Sequence, residues 1–181
     1  MSQRESGYER KERDLYETPA WVTEALLPHL RRPLGCVWEC ASGSGKMVRP
    51  LQAAGLHVTY SDISEGEDFL RIPRPQGGAD AIVTNPPYEL ATEFIKHALF
   101  LMQISSGVTA MLLRTDFDHA KTRSFLFAGC PAFAKKVVLT KRIKWFEDSK
   151  GQPSFNHAWF IWDWKHDGPP TLAYGPVSNG E

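Results

Sequence analysis

The sequence predicts an α/β fold on a mostly parallel, doubly wound sheet, and three stretches predict it. Val37-Trp38 runs into Glu39 and then the turn Cys40-Ala41-Ser42-Gly43-Ser44-Gly45, followed by helix-compatible residues from Lys46 to Ala54. A second apolar run, Leu56 to Tyr60, ends at Ser61-Asp62. That is about 20 residues past the first glycine, where such a sheet carries the acid that grips a ribose. A third run, Ala81-Ile82-Val83-Thr84, follows Asp80 and stops at Asn85-Pro86-Pro87-Tyr88.

Each element has its own reason. Met1 to Asp14 is polar and mixed in charge, and is expected to be a loose arm over 1–14. Thr18-Pro19 reads as a helix start, with Thr at the N-cap and Pro at the first helical position. Gly43 and Gly45 let backbone approach a ligand closely, and the helix behind them offers unpaired N–H groups. A Walker loop would need Gly in place of Cys40 and Ser or Thr in place of Met47, and a dinucleotide fingerprint would need Gly in place of Val48. After the third strand, Leu90, Phe94, Ile95, Ala98 and Leu99 recur near helical spacing within Glu89 to Met102. Val108 to Leu113 reads as a buried strand ending at Arg114, Asp118 to Phe127 as a helix, and Val137-Val138-Leu139 as a short strand. The final pair, Ile143 to Phe146 and Ala158 to Trp164, reads as an antiparallel hairpin joined by Lys150-Gly151-Gln152-Pro153. One domain over 15–168 and a tail over 169–181 complete the reading.

Composition places few further limits. Hydrophobic content is 42%, and the formal net charge is zero, from 21 basic and 21 acidic residues. Zero net charge argues against an indiscriminate nucleic-acid coat but hides a local bias. Lys121, Arg123, Lys135, Lys136, Lys141, Arg142, Lys144, Lys150 and Lys165 are offset over that stretch only by Glu147, Asp148 and Asp163. Trp145, Phe146 and Phe155 are interleaved with them, as in a nucleic-acid track, although inward-turned aromatics on a solvated face would look the same. Cys36, Cys40 and Cys130 form no metal-like or disulfide-like set, which suggests reduced thiols in the cytoplasm. No metal and no membrane span are expected.

Asn85-Pro86-Pro87-Tyr88 carries the chemistry. Neither proline can donate to a ladder, and each pushes the residue before it out of the helical region. The result is a stiff corner at the carboxyl end of a strand. Asn85 Oδ1 and the Pro86 carbonyl can both accept from an exocyclic amine, and Tyr88 can stack on the ring that bears it. Pulling on both amine protons frees the nitrogen lone pair for attack on an electrophile, with placement and fixed dipoles doing the work. An ordinary strand-exit turn is the alternative.

Together these motifs resemble the class I S-adenosylmethionine-dependent methyltransferases that modify amino nitrogens, above all the adenine-N6 DNA methyltransferases of small phage type. Glu39 to Gly45 is similar to their acid-Pro-Ala-x-Gly-x-Gly motif, with Cys40 in place of the proline. Asn85 to Tyr88 is similar to their catalytic Asp/Asn-Pro-Pro-Tyr/Phe motif. Tyr16-Glu17-Thr18-Pro19 resembles a Thr-Pro cofactor motif, and Gly66 to Leu70 an acid-aromatic segment. The resemblance covers about residues 15 to 164.

It implies a three-layer Rossmann-like fold with a seven-stranded sheet and S-adenosyl-L-methionine as cofactor. Tyr16, Thr18, Pro19, Glu39, Ala41, Gly43 and Gly45 would lie at the methionine end. Asp62 and Ile63 would bind ribose and adenine, Asp68 would accept from the adenine amine, and Phe69 would pack on that ring. Asn85, Pro86, Pro87 and Tyr88 would be catalytic, with Asn85 also beside the cofactor. Tyr88 and Phe155, with Asn156 beside the latter, would sandwich an extruded base, and Arg114 would meet a phosphate. The expected partner is nucleic acid, DNA favoured. RNA adenine, a protein glutamine amide, or a non-catalytic relative remain open. A separate recognition domain is not evident, so specificity is expected from short loops, a second copy or a partner.

Overall fold

A computed structural model describes residues 16–31, 33–145 and 155–176. Its centre is one seven-stranded sheet. The strands are β1 (Cys36–Glu39), β2 (His57–Tyr60), β3 (Ala81–Thr84), β4 (Val108–Arg114), β5 (Phe133–Leu139), β6 (His157–Asp163) and β7 (Thr171–Gly175), in the order β2-β1-β3-β4-β6-β5-β7. β1 to β4 are parallel, β6 runs antiparallel to both neighbours, and β7 is parallel to β5. The order reverses between β1 and β3, so the crevice outside their carboxyl ends is the place for a ligand.

Two apolar layers cover the sheet. On one face α1 (Ala20–Leu26) and α2 (Val48–Ala53) pack on Val37, Val83, Leu112, Trp159 and Ile161. On the other, α3 (Ala91–Ser105) packs on Trp38, Ile82, Met111, Phe160 and Trp162. Three tryptophans tie the layers together, each donating its indole N–H to a backbone carbonyl: Trp159 to Val22 (2.8 Å), Trp162 to Leu126 (2.6 Å) and Trp164 to Leu99 (3.2 Å). A buried indole needs such a partner. Asp80 starts the sheet, accepting from the N–H groups of Gly35 and Cys36 at 3.0–3.2 Å.

Gly107 sits where α3 turns into β4. A Cβ there would lie 2.6 Å from the Asp80 carbonyl oxygen and 2.8 Å from the Met102 sulfur. Gly107→Ala should therefore cost about 1–3 kcal/mol of stability, seen as a lower urea midpoint without a change of slope.

Several expectations are corrected. Ile143 and Trp145 do not form a strand, and β6 takes β4 and β5 as its antiparallel neighbours. Ile143 is instead buried in the core beside α1, and Trp145 packs on that cluster. The strand read as Val137 to Leu139 begins at Phe133, because Lys135 and Lys136 sit half-buried within it and mask its alternation. The seventh strand comes from Thr171–Gly175, within the stretch expected to be tail. Its residues are mostly exposed, so no apolar pattern announces it. Asp118 to Phe127 forms two 3-10 turns, Phe117–His119 and Lys121–Leu126, separated by extended Ala120. Pro19, not Thr18, is the N-cap of α1, and it supplies no side-chain cap. Residues 1–14, Phe146 and the Lys150 to Pro153 loop lie outside the described residues.

Candidate active site

The crevice at the β1/β3 reversal is a cavity of about 700 Å³, within the usual size of a small-molecule site. Backbone pairing continues past β1 and β2, from Ser61 N–H to the Glu39 carbonyl and from Ser42 N–H to the Ser61 carbonyl, each 3.0 Å. This extension brings Asp62 against the glycine turn. Asp62 Oδ2 accepts from Gly43 N–H at 2.8 Å, while Oδ1 accepts from the Ser64 N–H (2.9 Å) and hydroxyl (2.6 Å). Burial opposes ionisation of Asp62, but the hydrogen bonds from Ser64 and Gly43 outweigh it and lower its pKa. Gly43 and Gly45 have φ of 50° and 79°, left-handed values that favour glycine.

Glu39 ends β1 and is 1% exposed. Its Oε1 accepts from Ala41 N–H at 3.0 Å. Oε2 is buried without a hydrogen bond, and so is the Thr84 hydroxyl oxygen. Burial pushes the Glu39 pKa up to about 7. Thr84 and the Ala41 N–H favour the charged form, and the Asp62 charge opposes it. Thr84 acts there as a nearby dipole, since the pair lacks hydrogen-bond geometry. Beside Glu39, burial and then the glutamate itself push the Cys40 thiol well above its ordinary pKa.

Asn85 to Tyr88 line the same cavity as Ala41 to Ser44. Asn85 Nδ2 donates to the Tyr16 carbonyl at 3.0 Å. Only an N–H suits that acceptor, so the amide orientation follows and Oδ1 keeps no partner among the described residues. Tyr16 belongs to a segment that also ties down the glycine turn, through a 2.7 Å ion pair between Glu17 and Lys46. Hydrogen bonds from Lys46 and then Ser44 lower the Glu17 pKa. The carbonyl of one residue and the carboxylate of the next thus link the diproline corner to the glycine turn. Thr18 lines the cavity and is 4% exposed. Pro19 heads α1 and is not among the lining residues.

Ile63 lines the cavity while 67% exposed, an apolar side chain left open where a flat ligand would cover it. Phe69 lines it and is buried between Trp38, Phe94 and His97. Asp68 lines it with Oδ1 accepting from Leu70 N–H and Oδ2 paired with Arg71 at 3.2 Å. Arg114, Phe155 and Asn156 do not line it. The Arg114 guanidinium lies 4.1 Å over the Phe155 ring and pairs with Asp116 at 2.7 Å, and Asn156 Oδ1 accepts from Arg142 at 3.0 Å. Of the basic stretch, Lys136 is tied to Asp118 at 2.8 Å, whereas Lys141, Arg142 and Lys144 are exposed.

No family model and no curated protein matches the chain. Solved structures do. A Listeria monocytogenes protein described as a class I S-adenosylmethionine-dependent methyltransferase superposes with a TM-score of 0.56 at 10% identity, over 88% of this chain and 66% of its own. A predicted O-methyltransferase from Agrobacterium tumefaciens gives 0.50 at 14%, over 90% and 88%. A Vibrio vulnificus protein described as a type I restriction enzyme modification subunit gives 0.50 at 16%, over 92% and 48%. The fold is the class I methyltransferase fold. The chain thus spans under two thirds of the Listeria protein and about half of the Vibrio one.

One contact of this site has no signal in the sequence, and another has only an ambiguous one. One is the Tyr16 carbonyl, a backbone group that no residue pattern reveals. The other is His157, which accepts or donates at 2.9 Å to the Tyr88 hydroxyl. Its signal was an ionisable residue heading the otherwise apolar run Ala158 to Trp162.

Proposed function

We propose that this chain is an S-adenosyl-L-methionine-dependent methyltransferase acting on the N6 amino group of adenine in DNA. The observation that carries the reading is Asn85, whose amide N–H is held by the Tyr16 carbonyl and which lines the same cavity as the glycine turn and Glu39. The cofactor suits the residues present. Glu39 Oε2, buried and unpartnered, matches an α-ammonium, the Gly43–Gly45 turn leaves room for backbone approach, and exposed Ile63 matches an adenine face. Asp62 would still offer lone pairs to ribose hydroxyls, although both its oxygens already hold the turn. Asp68 and Phe69, which line the cavity, would meet the adenine, and Tyr16 and Thr18, which also line it, would lie at the methionine end.

When bound, the cofactor supplies an electrophilic methyl on a sulfonium. The chain's own residues do the rest. Asn85 Oδ1 and the Pro86 carbonyl accept from the substrate amine and aim its lone pair, Pro87 keeps the corner stiff, and Tyr88 holds the ring. The nitrogen would take the methyl carbon as that carbon's bond to sulfur breaks, leaving a neutral thioether, and the amine would release a proton to solvent water. Exposed Lys141, Arg142 and Lys144 would follow a phosphate backbone. Arg114 and Phe155, stacked together beyond the cavity, would meet the flanking nucleotide. The Vibrio neighbour, described as a modification subunit, supports a partner subunit beside this chain. The free thiols of Cys36, Cys40 and Cys130 suit the cytoplasm.

The test is direct. The protein is incubated with labelled S-adenosylmethionine and, separately, double-stranded DNA, single-stranded DNA, RNA and cell extract. N6-methyladenine in the DNA digest supports the reading. Label confined to RNA or to protein glutamine replaces the substrate, and no label anywhere overturns the activity.

A further inference from the structure

We infer that His157 is a positioning residue of this site: its Nε2 accepts a hydrogen bond from the Tyr88 hydroxyl and fixes the plane of the ring on which the substrate base rests. The inference depends on the role proposed for Tyr88, but its geometry is independent of any substrate. His157 is the first residue of β6, paired with Arg114 of β4, and is 2% exposed. Its ring is met edge-on by Trp145, with centroids 5.2 Å apart at 84°. The Tyr88 ring is met by Tyr16 at 5.6 Å and 62°, and Tyr16 in turn meets Trp145 at 5.4 Å. These four aromatic residues box one another in. The hydroxyl–imidazole hydrogen bond is a polar contact that acts on the rotation of the Tyr88 ring within the box.

The direction of that bond follows from acidity. A phenol is a better donor than a neutral imidazole N–H, and an imidazole nitrogen is a better acceptor than a phenol oxygen. Tyr88 therefore donates and the ring proton sits on Nδ1. Nδ1 is buried without a hydrogen bond of good geometry. The Phe155 carbonyl raises the proton affinity of the imidazole. Burial, and then the Arg114 charge, hold the imidazole pKa down to about 4 against that carbonyl and Asp116, so the acceptor persists at neutral pH.

The inference is tested in two arms. The first is a cycle of Tyr88→Phe, His157→Phe and the double variant, assayed with an adenine-containing oligodeoxynucleotide and, for cofactor binding, by calorimetry with S-adenosylmethionine alone. His157→Phe should lower kcat/KM for the oligonucleotide by up to about tenfold, the upper range for one neutral hydrogen bond. The loss should fall on the nucleic-acid KM, with cofactor affinity unchanged. The double variant should be no worse than Tyr88→Phe, and His157→Gln, which keeps an acceptor, should recover part of the loss. A full additional loss in the Tyr88→Phe background, or an equal loss of cofactor affinity, overturns the inference. The second arm needs no substrate. Nitrogen-15 spectra should show a neutral His157 protonated at Nδ1, with the Nε2 shift moving in Tyr88→Phe. A ring protonated at Nε2 overturns the inference even if the enzyme methylates adenine. If the wild type transfers no methyl while the spectra hold, the proposed substrate fails and the Tyr88–His157 pairing stands.

Discussion

Replacing Asn85 with alanine should lower methyl transfer by about 10²–10³-fold or more, the loss typical of removing one preorganised polar group at a reacting centre. Cofactor affinity should fall far less, and only through the loosened Tyr16–Thr18 segment. The contrast arises because Asn85 has two separable jobs. Its Nδ2 donates to the Tyr16 carbonyl, and its Oδ1 is left for an incoming amine. Alanine removes both. Asn85→Asp keeps the acceptor but sets a carboxylate against the Tyr16 carbonyl, losing the donor. It should retain more transfer than Asn85→Ala while loosening the Tyr16–Thr18 segment, read as a lower melting temperature. If Asn85→Ala keeps more than a tenth of wild-type transfer in single-turnover measurements, the amine clamp is not the source of catalysis.

Local chemistry was legible in the chain, and long-range pairing was less so. The glycine turn, the acid after β2 and the diproline corner each declare themselves within a few residues, since backbone constraints from Gly and Pro act locally. The parallel strands β1, β3 and β4 are nearly all buried and read as apolar runs. β7 did not, because an edge strand has one neighbour and little to bury; Leu172 and Tyr174 are 59% and 54% exposed. The sequence shows only the second half of β5, because Lys136 sits in the sheet only by reaching Asp118 and the Thr115 carbonyl, contacts made by residues of another segment. The site shows the same division. Asn85 declares itself through its neighbours, but the carbonyl that orients it comes from residue 16, and the histidine on Tyr88 from residue 157. Neither spacing is visible until β3, β4 and β6 are laid side by side.

Glu39→Gln should move stability and cofactor affinity in opposite directions. In the cofactor-free protein the Glu39 pKa is raised from its ordinary 4.5 to about 7 by burial. The folded state therefore holds a proton that the unfolded chain has released between those values. Stability then falls as pH rises from 4.5 to 7 and levels off above, with a total cost of about 3 kcal/mol. Glutamine keeps the acceptor for the Ala41 N–H, places an N–H₂ beside the orphaned Thr84 oxygen, and cannot ionise. At pH 8 Glu39→Gln should thus be the more stable protein by about 1–3 kcal/mol in urea unfolding, and the difference should shrink toward pH 5. Cofactor binding should respond the other way. An α-ammonium needs the carboxylate, so wild-type affinity should rise through pH 7, with proton release below that pH measurable by calorimetry in buffers of different ionisation enthalpy. The variant should bind S-adenosylmethionine at least about tenfold more weakly, the effect of one lost charge-assisted hydrogen bond, and with no such pH dependence. A variant that binds the cofactor as tightly as wild type at pH 8 would mean that Glu39 is buried for some other purpose, and the assignment of the methionine end to this side of the cavity would fall with it.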